Sequence, residues 1–259
     1  MTVGIQAAIA LPELVEHVDR LLQVERFKDY CPNGLQVEGR ARVERIVCGV
    51  TACEGLLEAA LDLRADAVLV HHGYFWRGED PCVRGMKRRR LLILLKNEIS
   101  LLGYHLPLDA HPEFGNNAQL GRLLGFDAEG PLLSGTESDL VWTGTLGSTI
   151  TAAALAQRIE RALGRTPLHI GSPEGEIRRI AWCTGAAQGF LEAVVDIGVD
   201  AYITGEASEQ TVHVARECGL HFYAAGHHAT ERYGVQALGK YLAERFGIDC
   251  RFVDIPNPV

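Results

Sequence analysis

The 259-residue chain lacks most of the local signatures that announce a chemistry. Its seven cysteines, at 31, 48, 53, 82, 183, 218 and 250, never fall as CxxC, which argues against a zinc ribbon or a thioredoxin-type redox pair. No GxSxG, GxxxxGK[ST] or GxGxxG occurs, so the nucleophile elbow, the P-loop and the dinucleotide fingerprint are missing. Long apolar runs are missing too. The strongest, Leu91 to Leu95, stops at Lys96, well short of the ~18–20 residues of a membrane span. Met1-Thr2-Val3-Gly4 sets no basic region ahead of an apolar stretch, so no secretory signal is read there. Positive charge is scarce: 25 Lys+Arg against 33 Asp+Glu leave a formal net charge of −8. That balance argues against sequence-independent nucleic-acid binding, though not against a small anionic substrate. The one block of charge, Lys87-Arg88-Arg89-Arg90, reads as a solvated first helical turn, with phosphate contact as the alternative. A soluble, cytoplasmic protein with no membrane contact is expected.

What is present is ordinary globular composition, 47% hydrophobic and 22% charged, enough for one large domain or two smaller ones. Cys48, Cys183 and Cys218 sit in apolar stretches and read as small core residues. Short β-rich runs alternate with helical patterns, the mark of an α/β fold. Strands are expected at Arg45–Val50, Ala67–Val70 and Ile99–Tyr104. Helices are expected at Glu54–Arg64, Lys87–Glu98 and Asn116–Leu124, the last with Asn116 as its N-cap.

The chain also resembles itself. Set without gaps beside Arg179–Ala207, the segment Arg45–Gly73 is identical at ten of twenty-nine positions, among them Arg45/Arg179, Asp66/Asp200 and Ala67/Ala201. Chance would give about two, so the halves read as a duplication of strand–helix–strand–helix–strand–helix. The Gly-, Pro- and Ser-rich stretch Asp127–Ser138 reads as the linker. The expected domains are residues 1–127 with 232–259, and residues 128–231.

In a parallel sheet, ligands gather beyond the carboxyl ends of the strands. Six of the ten histidines, His71, His72, His105, His111, His227 and His228, fall in three such strand-exit segments. Adjacent residues on a strand face opposite ways, but His71 and His72, released into a turn by Gly73, can diverge toward different ions. Asp109 adds a hard carboxylate, and His227 and Glu231, four residues apart, share one edge if a helix begins near His228. Imidazole with carboxylate suits zinc, iron or manganese, and carboxylates can bridge two ions. Acid–base chemistry by His and Asp without a metal is the alternative. Cys183–Gly189 could offer backbone amides to a phosphate, although a tight strand-to-helix turn explains it better.

These segments resemble the type 2 GTP cyclohydrolase I proteins, also called NGG-one interacting factor three-like dinuclear metal proteins. The motifs are Pro32-Asn33-Gly34-Leu35-Gln36-Val37, Val70-His71-His72-Gly73, Tyr104-His105-Leu106-Pro107-Leu108-Asp109 with Asn116-Asn117, Ile203-Thr204-Gly205-Glu206, and Gly226-His227-His228-Ala229-Thr230-Glu231. The resemblance covers nearly the whole chain and fits the short form of the family. It implies two interlocked α/β domains of similar topology, a ligand site at strand ends between them, and a ring-shaped homohexamer. It implies two divalent ions per chain (zinc, iron or manganese) on His71, His72, Asp109, His227 and Glu231, with Glu231 the expected bridge, in the first turn of a helix. His105 and His228 would stand close by as proton carriers. The implied activity is hydrolytic opening of the guanine imidazole ring of GTP with release of formate. A non-catalytic metal-dependent scaffold or regulatory protein and a metal-dependent phosphoesterase stand as alternatives.

Overall fold

A computed structural model of the chain describes residues 7–132 and 140–259. Met1–Gly4 and residues 133–138 of the expected linker lie outside the described residues. The elements, in chain order, begin with β1 (Ile9–Ala10), α1 (Leu11–Leu22), β2 (Gly34–Val37), β3 (Arg42–Val43), β4 (Arg45–Thr51), α2 (Glu54–Asp62), β5 (Ala67–His72), α3 (Gly85–Lys96) and β6 (Ser100–Gly103). Next come α4 (Leu106–Ala110), α5 (Asn116–Leu124), β7 (Asp127–Pro131), β8 (Trp142–Thr151), α6 (Ala152–Leu163), β9 (Leu168–Ile170), β10 (Glu176–Trp182) and α7 (Leu191–Val195). The chain ends with β11 (Ala201–Thr204), α8 (Glu209–Cys218), β12 (His221–Ala224), α9 (His227–Thr230), α10 (Arg232–Phe246) and β13 (Asp249–Phe252). Contacts divide it into two compact units, Met1–Leu108 with Gly234–Pro256, and Asp109–Tyr233 with Asn257–Val259.

The first unit is built on a five-stranded sheet, β13-β4-β5-β6-β2, parallel except for β2. Its central strands are apolar on both faces, as strands covered by helices on each side must be. Along β4 the side chains alternate: Ile46 and Cys48 join Leu14 and Val18 of α1 and Leu238 and Leu242 of α10. Val47 joins Leu56 and Leu57 of α2 and Leu94 of α3 on the other face.

The second unit carries a six-stranded sheet, β7-β8-β10-β11-β12-β9, in which β10, β11 and β12 are parallel. Its core joins Leu120 and Leu124 of α5 and Leu155 and Ile159 of α6 to Ile180, Trp182 and Ile203. Helix α5 therefore packs in the second unit, where a methyl on Gly121 would fall 2.8 Å from the Trp182 ring. The order β4-α2-β5-α3-β6 in one unit matches β10-α7-β11-α8-β12 in the other, and the duplication extends to atoms. Asp66 accepts the backbone N–H groups of Glu44 and Arg45 at 2.8 and 2.9 Å, and Asp200 those of Arg178 and Arg179, both at 2.8 Å.

Several local expectations are corrected. Part of the expected linker is strand β7, held by antiparallel pairing of Asp127 with Thr145 and Pro131 with Trp142. A proline is tolerated there because β7 is an edge. The N-cap of α5 is Gly115; Asn116 lies inside the helix and donates its side-chain amide to Asp109 at 2.8 Å. Cys48 and Cys183 are buried as expected, but Cys218 is exposed at the end of α8. The Lys87–Arg90 run opens α3 with Arg88 and Arg89 exposed, as expected, and it also makes surface ion pairs: Lys87 with Glu79 and Arg89 with Glu54, each at 3.1 Å.

Candidate metal centre

In the first unit β5 runs out at His71 and His72, whose rings stand 4.5 Å apart. Each is oriented through Nδ1. His71 Nδ1 lies 3.0 Å from the Tyr104 carbonyl, and a carbonyl only accepts, so Nδ1 carries the hydrogen and Nε2 the lone pair. His72 Nδ1 lies 3.2 Å from the Thr51 hydroxyl. His105 follows β6, with its ring 5.1 Å from that of His71 and 5.7 Å from that of His72. One nitrogen from each of the three lies within 4.8 Å of the other two, close enough for metal ligation.

The motif Pro32–Val37, the end of the loop after α1 together with β2, braces this cluster. Gln36 donates to the Pro32 carbonyl and accepts the Tyr74 N–H, each at 2.7 Å. A methyl on Gly73 would fall 2.1 Å from the Gln36 oxygen, which explains glycine directly after the paired histidines. Asn33 accepts the His105 backbone N–H at 2.7 Å.

In the second unit Asp109 is buried, its Oδ1 receiving Asn116 Nδ2 at 2.8 Å and the Thr184 hydroxyl at 3.3 Å. His227 opens the short helix α9, with Gly226 before it at φ +101°. Its Nδ1 lies 2.6 Å from Glu206 and its Nε2 3.1 Å from Glu231. Burial alone would lower this imidazole's pKa, but the hydrogen bonds and charge of Glu231 and Glu206 outweigh it and raise the value to about 9. Glu231 stands at the junction between α9 and α10, not in the first turn of a helix as expected, with φ −106°. His228 is buried, and its backbone N–H reaches the Val259 carbonyl at 2.9 Å.

The loop Cys183–Gly189 proves to be the tight turn. Its amides are spent inside the protein: Thr184 N–H goes to Asn117, Gly185 N–H to Thr230 and Ala187 N–H to Thr204. Gly185, at φ +70°, also makes room, since a methyl there would fall 2.1 Å from Glu231 Oε1 and 3.4 Å from His227 Nε2.

The donors fit a borderline or hard divalent metal. They are imidazole nitrogens and carboxylate oxygens, and in each unit the far atom of a donor is held by a partner that orients it, the arrangement metal ligands require. The proton between His227 Nε2 and Glu231 stands where a cation held by both groups could replace it. Thiolate ligation does not fit. Burial, reinforced by the charges of Asp109 and Glu231, raises the Cys183 thiol well above its ordinary value. The orienting partners Asp29, Glu206, Asn116 and Thr184 carry no signal of that role in the sequence: Glu206 and Asn116 lie inside family-like motifs, Asp29 shortly precedes one, and Thr184 falls in the Cys183–Gly189 turn.

Fold and donor sets together define the class: a duplicated α/β protein with imidazole and carboxylate groups grouped at strand exits. The chain belongs to the DUF34/NIF3 (NGG1p interacting factor 3) family, whose model matches residues 9–258. A Pseudomonas aeruginosa protein named GTP cyclohydrolase 1 type 2 homolog is 62% identical over 251 residues, which cover 97% of this chain and 99% of that protein. The solved structure of protein ybgI, described as of unknown function, superposes with a TM-score of 0.93 at 54% identity, covering 97% of this chain and 100% of the other. A Thermus thermophilus structure gives 0.87 at 34% identity, with 97% and 100% covered. No helix among the described residues is long and apolar enough to cross a membrane.

Proposed function

We propose that this chain is a metal-dependent hydrolase that opens a cyclic amidine, with the guanine imidazole ring of GTP as substrate and formate as one product. The observation that carries the reading is the orientation of the donors: His71, His72, Asp109 and His227 each have a far atom engaged by a carbonyl, hydroxyl, amide or carboxylate. Side chains ordered at such cost serve a ligand rather than the core. With Glu231 they are the ligands we assign to two divalent ions (zinc, iron or manganese) per chain. When bound, the ions would supply Lewis acidity, lowering the pKa of a water and polarising the substrate. The chain's own share is to orient and to move protons. His105, beside His71 and His72, is placed to accept a proton, and His228 is the second candidate. The relatives' printed name supports the substrate, and the homohexamer implied by the sequence resemblance is the assembly proposed.

Incubating the metal-loaded protein with GTP and measuring formate together with a dihydroneopterin product tests the reading. Formate release that depends on added metal is the expected result. Turnover of a phosphoester panel without formate would replace it with a phosphoesterase. Tight metal binding with no turnover of either would leave a regulatory metal-binding protein. Light scattering at micromolar concentration tests the assembly, and a mass of one or two chains would remove the hexamer.

A further inference from the structure

We propose that Asp29 is the positioning residue for His105, fixing its ring as the Nδ1–H tautomer so that Nε2 is the proton acceptor. The inference rests on the hydrolase reading only for what His105 does with that nitrogen; the tautomer itself does not depend on it.

Asp29 lies in the loop between α1 and β2, 76 residues from His105 in sequence. Its Oδ1 receives His105 Nδ1 at 2.7 Å and the Tyr30 N–H at 2.6 Å. Its Oδ2 receives Asn33 Nδ2 and the Leu106 N–H, each at 2.9 Å. Four donors use all of the roughly four positions at which an ionised carboxylate accepts. The side chain is 2% exposed, so water does not compete for them. Burial acts to raise this carboxyl, but the bonds from His105, Asn33 and Leu106 and the charge on His105 prevail and lower it to about 2. It is therefore an anion, and an anion facing Nδ1 demands a hydrogen there.

The grip extends to the backbone, because Asn33 accepts His105 N–H while Asp29 accepts Leu106 N–H. The ring is fixed in angle as well as in tautomer, and the edge of Trp76 meets it at 5.0 Å. A competing reading makes Asp29, Cys31 and His105 a metal site of their own, since their ligand atoms also lie within 4.8 Å of one another. Two facts oppose it. Burial first, then the Asp29 charge, pushes the Cys31 thiol up to about 12, and the lone pairs of Asp29 are already committed.

Asp29→Asn gives a directional test. Leu106 N–H is a fixed donor, and Asn33 cannot turn its amide without losing His105 N–H. Each side keeps one backbone donor, Tyr30 N–H or Leu106 N–H, so the new amide nitrogen faces the side whose other partner, the His105 imidazole, can switch to accepting. Long-range proton–nitrogen NMR of the full-length 15N-labelled chain, with and without added zinc, reads the tautomer. His105→Gln assigns the signal by its disappearance. In the metal-free wild type the expected pattern is a protonated Nδ1 and a bare Nε2. In Asp29→Asn that pattern is expected to be replaced by the Nε2–H form, with zinc content unchanged. A wild-type spectrum showing Nε2–H overturns the proposal even if the variant fails to fold, and so does a variant that keeps Nδ1–H. Failure of zinc to bind the wild type would instead count against the hydrolase reading, leaving the tautomer result standing.

Discussion

The two units share one scaffold and use it in opposite ways at the strand exits. Ahead of the strands β5 and β11 they agree: Asp66 and Asp200, identical in the duplication, each tie two consecutive backbone N–H groups, at the start of β4 and within β10. At the carboxyl ends they diverge. Thr51, His71 and His72 of the first unit correspond to Gly185, Gly205 and Glu206 of the second. The first unit takes its donors from the strand itself. The second has removed side chains there, since a methyl on Gly205 would fall 2.6 Å from the His227 Cα and one on Gly185 2.1 Å from Glu231 Oε1. Its donors come from the end of α4, from α9 and from the junction behind α9, and Glu206 is left to orient His227. A duplicated scaffold can thus gather imidazole and carboxylate at its strand exits while changing which element supplies them.

The sharpest break of that comparison is Gly185→Ala. The added methyl must displace Glu231, and the positive φ of +70° strains any side chain. A loss of about 3 kcal/mol in stability is expected, read by chemical denaturation. Gly189→Ala in the same loop region meets open space and serves as the control. Glu231→Gln keeps the size and removes the charge. Two divalent ions ~3.5–4 Å apart repel strongly unless anions lie between them. This variant is expected to fold and assemble but to lose at least one metal per chain and its hydrolysis. Elemental analysis returning two ions per chain would remove Glu231 as the bridge.

The shared end is tested by Asp66→Ala and Asp200→Ala. Each leaves two backbone donors unpaired, and Asp66 also loses Arg40 at 2.9 Å. Losses of about 2–3 kcal/mol for Asp66 and about 1–2 kcal/mol for the more exposed Asp200 are expected. Metal content should not change in either, and a fall in it would show that these ends are not purely structural. Acidification tests a feature that the first unit alone displays. Asp29 is depressed from 3.8 to about 2, so its contribution is complete above pH 3.8 and is lost as pH falls through about 2. That contribution is about 2 kcal/mol, and Asp29→Asn should flatten the acid limb of the stability curve between about pH 4 and pH 2.

The sequence marks the strand exits where imidazoles and carboxylates gather but not the groups that orient them. The central strands were legible because Arg45–Thr51 and Ala67–His72 are short apolar runs cut off by polar exits. The self-similarity was legible because ungapped identity survives in Asp66/Asp200 and Arg45/Arg179. Strand β7 was hidden because its Gly130 and Pro131 look like a linker, and only pairing with β8 makes it a strand. Asn116 looked like a cap because nothing local reveals that its amide belongs to Asp109. Asp29 and Glu206 were silent for the same reason: their partners stand 76 and 21 residues away, and no periodicity encodes a hydrogen bond between distant loops.

A graded loss of affinity, rather than of stability or of a whole ion, should come from the groups behind the two histidines that differ most between the units. His227 Nδ1 meets a carboxylate at 2.6 Å, and His72 Nδ1 meets a hydroxyl at 3.2 Å. A charged partner strengthens the imidazole as a ligand; a hydroxyl mainly holds its angle. Glu206→Gln is therefore expected to weaken metal affinity by about 100-fold, toward the upper end for such partners. Thr51→Val keeps the branched shape, removes only the hydroxyl, and should weaken it by about 10-fold. Both are measured by competition with a chelator on protein whose melting is unchanged. If Thr51→Val costs as much as Glu206→Gln, the hydroxyl is a full partner of the imidazole, and the two units support their metal ligands equally despite drawing them from different elements.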